Sequence, residues 1–303
     1  MTTLGDMKGR IKQILQGYTR NQEQISWLAQ ATLATDTQFF VNPGTASQIN
    51  RGLVEIDNEL ILIDQFNSLV GTMTTAAGIN GRGQEGTTPA FHDMNSIITM
   101  DPDFPRQRIT EAINDTIRAT YPDLYVMKSF DFPYKAARFE YEFPADAEKV
   151  YKVTISSIGP SFVWKGGVRW RFNPQASTQS NGSSTGKSIQ IMDPVVPGRL
   201  IHCMYIVPPN ILVNDTDDFA ITTGYPDRYT DMIQYGATAR LLSSLEPARL
   251  AQKAVESTER APLVPAGAAT NSAQYFWNLY KQRYQEETDR LHDLFPAYQH
   301  ILA

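Results

Sequence analysis

Cysteine is nearly absent from this sequence: Cys203 is the single one in 303 residues. One thiol excludes an internal disulfide framework and a CxxC metal site. Its apolar surroundings, IHCMYIV, mark it as a buried structural thiol. Histidine is scarce too. His92, His202, His292 and His300 are scattered, without HExxH spacing, and His92 beside Asp93 reads as a capping or surface residue. There is no GxSxG, so no α/β-hydrolase nucleophile is indicated. An excess of positive charge is missing as well. Lys and Arg number 27 against 32 Asp and Glu, a net charge of −5, and no basic cluster marks a free-standing nucleic-acid binder. No apolar run is long enough to span a bilayer. The opening MTTLGDMKGRIKQIL has neither the apolar core nor the cleavage site of a secretory signal. The expectation is a protein made in a reducing cytoplasm and not held in a membrane.

What is present allows a large core: 42% of the residues are hydrophobic, and the length suits one to three domains. Met7, Ile11, Ile14 and Leu15 fall at helical spacing, and Gly17 suits a helix stop. The period then changes. Strand candidates lie in Ile25 to Leu33, Gln38 to Val41, Gly71 to Thr75 and Ser96 to Met100. GLVEI and ELILI flank Asp57-Asn58, a two-residue hairpin signal. These strands predict a small β-barrel or sheet near the first helix. GINGRGQEGTTPAFHD, rich in Gly and Thr and without apolar period, reads as a long, mobile loop.

Ile109, Ala112, Ile113, Thr116 and Ile117 form one face of a helix over Pro105 to Thr120, with Arg106, Arg108 and Arg118 off that face. Period two returns from Lys128 to Val213. Arg138 to Phe143 alternates, Tyr151, Val153 and Ile155 alternate with Lys152 and Thr154, and Val168, Trp170 and Phe172 alternate with Arg169 and Arg171. Leu200 to Val207 is almost continuously apolar and reads as a central strand. This pattern predicts an inserted antiparallel β-sandwich. Tyr229, Ile233, Ala237, Leu241 and Leu245 then step by four, Pro247 kinks or ends that helix, and APLVPAGAAT makes a linker. A last helix starts at Asn271 or Ser272, carries Phe276, Tyr280, Tyr284, Leu291 and Phe295 as a stripe, and closes at Pro296. The expected class is α+β in three parts: 1–127, 128–214 and 215–303.

Motifs that suggest chemistry fail on spacing or context. NGSSTGKSIQIMD contains Gly-Lys-Ser, but only Ser183, Ser184 and Thr185 separate Gly182 from Gly186, and the position that needs glycine is Asn181. The residues after it alternate as a strand, where a phosphate loop must open a helix. The stretch reads as a flexible hairpin loop with Lys187 solvated. Asp215-Thr216-Asp217-Asp218 lacks the central Gly and distal Glu of a calcium loop and suits capping and turns. Glu140 and Glu142 share a strand face, read as the solvated side. Trp164 and Trp170 suit a sandwich core or, if exposed, a sugar platform. No nucleophile, base and oxyanion donor assemble, so a binding or structural protein is expected, with no cofactor, metal or catalytic residue.

RGLVEIDNELILIDQF, GRGQEGTTPAFHD, DPDFPRQRITEAINDTIRATYPDLY, and DMIQYGATARLLSSLEPARLA with AQYFWNLYKQRYQEETDRL together resemble head-to-tail connector (adaptor) proteins of tailed bacteriophages with actinobacterial hosts. The resemblance spans most of the chain and is least distinctive in the β-rich middle. It implies a helical connector core, a usually twelve-fold (dodecameric) ring of copies below the portal protein, a next neck or tail protein on the far side, and a channel passing double-stranded DNA. The location implied is the virion neck, with assembly in the host cytoplasm. Portal-binding candidates are Tyr275, Phe276, Tyr280, Tyr284, Leu291, Phe295, Tyr298, Ile301 and Leu302. Arg82, Gly83, Gly86, Thr87 and Thr88 are candidates for a loop that orders on assembly. A tail-fibre or receptor-binding protein and a carbohydrate-binding or glycan-active β-sandwich stay open as other readings.

Overall fold

The computed structural model describes residues 1–17, 23–42, 50–157, 163–178, 183–244 and 268–296. In chain order its elements are α1 (Leu4–Gln16), β1 (Gln24–Trp27), β2 (Gln38–Phe40), β3 (Gly52–Ile56), β4 (Glu59–Asn67), β5 (Thr72–Thr75), β6 (Ile97–Met100), α2 (Arg106–Thr120) and β7 (Val126–Pro133). There follow β8 (Glu140–Glu142), β9 (Lys149–Ser156), β10 (Trp164–Lys165), β11 (Trp170–Asn173), β12 (Ser188–Ile191), β13 (Leu200–Val207), α3 (Phe219–Thr223), α4 (Thr230–Ser243) and α5 (Ala268–Leu294). The fold is thus mixed α and β, with antiparallel sheets. Two compact units divide it: Met1–Thr116 with Leu212–Phe219 and Asp227–Gln285, and Ile117–Ile211 with Ala220–Pro226 and the chain from Glu286 on. Of the helical residues expected near both ends of the chain, α1, α4 and α5 up to Gln285 belong to the first unit, and the rest of α5 belongs to the second.

The first unit holds a six-stranded sheet in the order β1-β6-β3-β4-β5-β2. It curls into a half-barrel, and beyond its edge strands the ends meet: Leu28 bridges Val41, Ala29 N donates to Phe40 O at 2.7 Å, and Asn42 N donates to Trp27 O at 2.9 Å. Pairing the edges satisfies backbone groups that would otherwise be open to another chain. Leu28, Phe39, Val41, Val54, Ile56, Ile61, Ile63, Met73, Ile98 and Met100 fill the inside. The hairpin turns at Asp57-Asn58 as expected, with Asp57 left-handed at φ 53°, a region Asp reaches more readily than most residues.

Helix α1 starts with a reciprocal cap. Thr3 Oγ1 accepts from Asp6 N at 3.2 Å, and Asp6 Oδ2 accepts from Thr3 N at 3.1 Å. Its far end stops at Gly17 as expected, although the glycine caps it in the right-handed region, at φ −65°. The Asp215–Asp218 stretch turns and ties. Asp217 Oδ2 accepts from Val213 N and Asn214 N, both at 2.8 Å, and Asp215 pairs with the buried Lys8 of α1. Helix α4 is buried on more than the one stripe its period implied: Met232, Gln234, Gly236, Thr238, Ala239 and Leu242 are covered as well. Gly236 allows this. A Cβ there would lie 2.5 Å from Thr116 Cγ2 of α2 and 3.0 Å from the Tyr280 ring of α5. Helix α5 begins three residues before Asn271. Leu245, Pro247 and the linker before Ala268 lie outside the described residues.

The second unit carries a four-stranded sheet, β10-β9-β13-β7, and a three-stranded one, β11-β12-β8. Strand β13 is central, paired along its length with β7 and β9. Aromatic rings join the sheets: Phe132 lies 4.5 Å from Tyr141, and Phe143 contacts Phe130, Phe172 and Tyr205 at 5.3 to 5.8 Å. Two alternation readings are corrected here. Tyr151 is an extra residue in β9, because Met204 pairs with Lys152 and Tyr205 with Val150; this bulge shifts the phase, so Val150 and Val153 are buried while Tyr151 is only half-buried. The run Arg138 to Phe143 contributes a strand only at Glu140–Glu142, and Phe139 is 77% exposed.

Candidate functional site

A densely bonded polar site sits where the β3–β4 hairpin meets the segment expected to be a mobile loop. Glu59, the first residue of β4, is buried. A lone buried carboxylate is costly, so it needs partners. Arg82 provides them. Its Nε and Nη2 donate to Glu59 Oε1 and Oε2 at 2.6 and 2.7 Å, Nη1 donates to Leu33 O and Asp36 O at 2.9 Å, and Nη2 also donates to Ala90 O at 2.7 Å. A guanidinium has five N–H donors, and all five are used. Its Cζ lies over the Phe39 ring, 5.0 Å from the ring centre.

Glu59 is equally occupied. Besides Arg82 it accepts from Gly83 N at 3.1 Å and Ala90 N at 2.9 Å. His92 completes the cluster, with Nε2 2.9 Å from Glu59 Oε2 and Nδ1 2.8 Å from Asp57 Oδ2. Burial alone would raise the Glu59 pKa; the bonds from Arg82, His92 and Ala90 outweigh it and bring it down to about 2. Burial likewise opposes a charged His92, but Asp57 and Glu59 hold its pKa above the ordinary 6.5. The hydrogen bond from His92 lowers Asp57.

The segment between is therefore held. Two tight turns, Gly78–Gly81 and Gln84–Gly86, flank Arg82, with Ala77, Gly78, Gly83, Glu85 and Gly86 all left-handed. Gly83 is required: a Cβ there would lie 2.8 Å from Pro89 Cδ and from Thr87 O. Thr87 Oγ1 donates to Gln84 O at 2.8 Å and accepts from Leu60 N at 3.1 Å. The expected mobile loop is corrected to a pinned one, because a buried ion pair ties its middle to the barrel. Arg82 and Thr87 are buried; of the assembly-loop candidates, Gly86 and Thr88 are exposed and Gly83 half-buried. His92 is corrected from a surface residue to one 1% exposed. Beside the segment, Leu60, Glu85, Pro105, Gln107, Arg108 and Glu111 line an open groove of about 270 Å³.

The C-terminal candidates do not form one free stripe. Phe276 and Tyr280 are buried in the first unit, where Phe276 meets Tyr235 at 6.3 Å and Tyr280 meets Tyr284 at 5.7 Å. Leu291 is buried, and Phe295 packs edge-on against Tyr151 at 5.8 Å, whose hydroxyl donates to Pro296 O at 2.7 Å. Tyr275 is 59% exposed. Tyr298, Ile301 and Leu302 lie outside the described residues. Most of the stripe is thus used for packing within the chain.

In the second unit, Lys187 is corrected from a solvated residue to a half-buried one whose Nζ donates to Ala147 O at 2.7 Å. Asn181 and Gly182 of the same stretch lie outside the described residues. Glu142, read as facing solvent, accepts from Ser184 N at 3.0 Å and Thr185 N at 3.2 Å and so anchors the hairpin loop. Trp164 lies at a sheet edge, 37% exposed, its ring 5.0 Å from that of His202, which bonds Asp131 at 2.5 Å. Cys203 is buried and its thiol is pushed up to about 12 by burial. Among the described residues no group of three or more His, Cys, Asp or Glu is placed to hold a metal ion, and no helix is long and apolar enough to cross a membrane.

No protein-family model matches the chain, and no curated protein matches it.

Proposed function

We propose that this chain is a structural virion protein, a head-to-tail connector whose copies form a ring between the portal and the next neck or tail protein and leave a channel for duplex DNA. The observation that carries the reading is the four-segment sequence resemblance. Two of those segments prove to be one physical piece: Arg82 of GRGQEGTTPAFHD is locked onto Glu59 of RGLVEIDNELILIDQF. A connector has to transmit load between two rigid rings, and a fully bonded ion pair inside a curled sheet suits that task. The same saturation argues against catalysis at this cluster. Every Arg82 donor is spent and the Glu59 carboxylate is occupied, so neither is free to move a proton to a substrate. In this reading the helices α1, α2, α4 and α5 are the connector core, and the net negative charge lets DNA slide past without being gripped.

The assembly state of the purified chain, alone and with purified portal, tests the proposal by native mass spectrometry. A closed ring of many copies is expected. A trimer points to a fibre instead. A second reading, a glycan-binding sandwich, is favoured by the half-open Trp164 beside His202 and Asp131; a monomer that binds oligosaccharide through Trp164 replaces the connector with it.

A further inference from the structure

We infer that His92 is a proton-operated clasp: its charged ring holds the β3–β4 turn through Asp57 and the barrel through Glu59 at once, and the neutral ring keeps Glu59 and lets go of Asp57. The inference does not depend on the connector reading. It rests first on geometry. Each ring nitrogen faces a carboxylate oxygen, Nδ1 at 2.8 Å and Nε2 at 2.9 Å. Carboxylates accept and cannot donate when ionised, so both contacts are hydrogen bonds only if both nitrogens carry protons. A neutral imidazole has one proton and must turn a lone pair toward one of the two carboxylates.

Burial decides which contact is lost. The Glu59 side chain is 1% exposed and the Asp57 side chain 48%. Water can replace the ring at Asp57, whereas Glu59 would be left a bond short in the interior. The neutral form is therefore the Nε2–H tautomer, with Asp57 turned to solvent. The backbone stays, because His92 N donates to Thr32 O at 3.0 Å and Thr32 N to His92 O at 2.9 Å whatever the charge. The charged groups facing the ring are Asp57 from the turn and Glu59 from β4. Behind them stand Arg82, bonded to Glu59, and Arg106, whose charge acts on Asp57, while the Ser96 hydroxyl also bonds Asp57. Asp93 follows in the chain and is exposed.

The sign follows from these contacts. The folded protein holds the His92 proton more tightly than the unfolded chain, so the clasp contributes fully below the ordinary 6.5 and is lost as pH rises through the higher folded value. Its release uncovers a carboxylate on a turn that is also tied to α1, where Asn58 Oδ1 accepts from Lys8 Nζ at 2.8 Å. The turn's surface charge and freedom thus change with one proton.

Nitrogen-15 NMR of the histidine side chains in the full chain, titrated from about pH 5 to 9, tests this. His92 is identified by its loss in His92→Gln, and Asp57→Asn is the functional variant, since Asn also accepts the left-handed backbone at this position. The expected wild-type result is a His92 that titrates above the ordinary value and becomes the Nε2–H tautomer when neutral. In Asp57→Asn it titrates lower while the fold is kept. A His92 that titrates at or below the ordinary value, or a neutral Nδ1–H tautomer, overturns the clasp. So does an Asp57→Asn chain with an unchanged titration.

Discussion

Arg82 and Glu59 stand 23 residues apart in the chain and meet in a two-bonded fork at 2.6 and 2.7 Å, neither side chain reaching solvent. The pair fixes the path of a glycine-rich segment that has little apolar surface of its own. Removing Glu59 strands Arg82 without its buried counter-charge, and removing Arg82 leaves the Glu59 carboxylate with only His92 and two backbone N–H groups. Arg82→Met is expected to cost about 3 to 5 kcal/mol in denaturant unfolding of the barrel unit. Arg82→Lys should recover little, because an ammonium cannot reproduce the flat five-donor fork. The double variant Arg82→Met with Glu59→Leu should be more stable than Arg82→Met alone.

The same carboxylate sets part of the acid stability. Its folded pKa, about 2, lies below the ordinary 4.5, so its contribution is present above 4.5 and is lost as pH falls toward 2. Stability measured against pH should decline through this window in the wild type. Glu59→Gln should be less stable at neutral pH and show a shallower acid decline.

At Gly236, α4 comes close to α2 and α5. Gly236→Ala puts a methyl 2.5 Å from Thr116 Cγ2, and overpacking of this kind costs about 1 to 3 kcal/mol, read as a lower Tm. Thr116→Ser removes the offending methyl and keeps the hydroxyl that donates to Ala112 O at 2.7 Å, so the double variant should melt higher than Gly236→Ala alone.

Portal attachment, in the connector reading, falls to the exposed side of α5. Tyr275→Ala should weaken binding to purified portal by tenfold or more, roughly 1.4 kcal/mol for an aromatic anchor, with the melting curve unchanged. Phe276→Ala should lower the Tm, because Phe276 is buried beside Tyr235. Equal portal binding by wild type and Tyr275→Ala, measured by surface plasmon resonance, contradicts this assignment.

Lys187 bonds a carbonyl of its own chain, that of Ala147. Lys187→Ala should cost about 1.5 to 3 kcal/mol in unfolding free energy, the usual size of a hydrogen bond from a charged group, and, in the connector reading, leave ring assembly intact. Calorimetric titration with ATP should give no binding heat in either form.

Elements that depend on neighbours in the chain were readable from it. The Asp57-Asn58 hairpin follows from apolar-rich segments on both sides of a turn pair, and β13 follows from a nearly continuous apolar run. Features that depend on distant partners were hidden. Nothing around Arg82 or His92 announces Glu59, so a segment poor in apolar residues read as free. Tyr151 was misplaced because a bulge shifts the alternation without changing the residues. The stripe on α5 was visible, but that Tyr280 faces its own chain depends on Gly236, which lies 44 positions before it and admits the close approach.

The central claim is that this chain is the joint beneath a portal. Cryo-electron microscopy of purified portal mixed with the full chain measures it most directly. The account predicts a coaxial ring of the chain on one end of the portal, with an open axial channel wide enough for duplex DNA. Portal particles bare at both ends, with the chain beside them as monomers or trimers at saturating concentration, would contradict it.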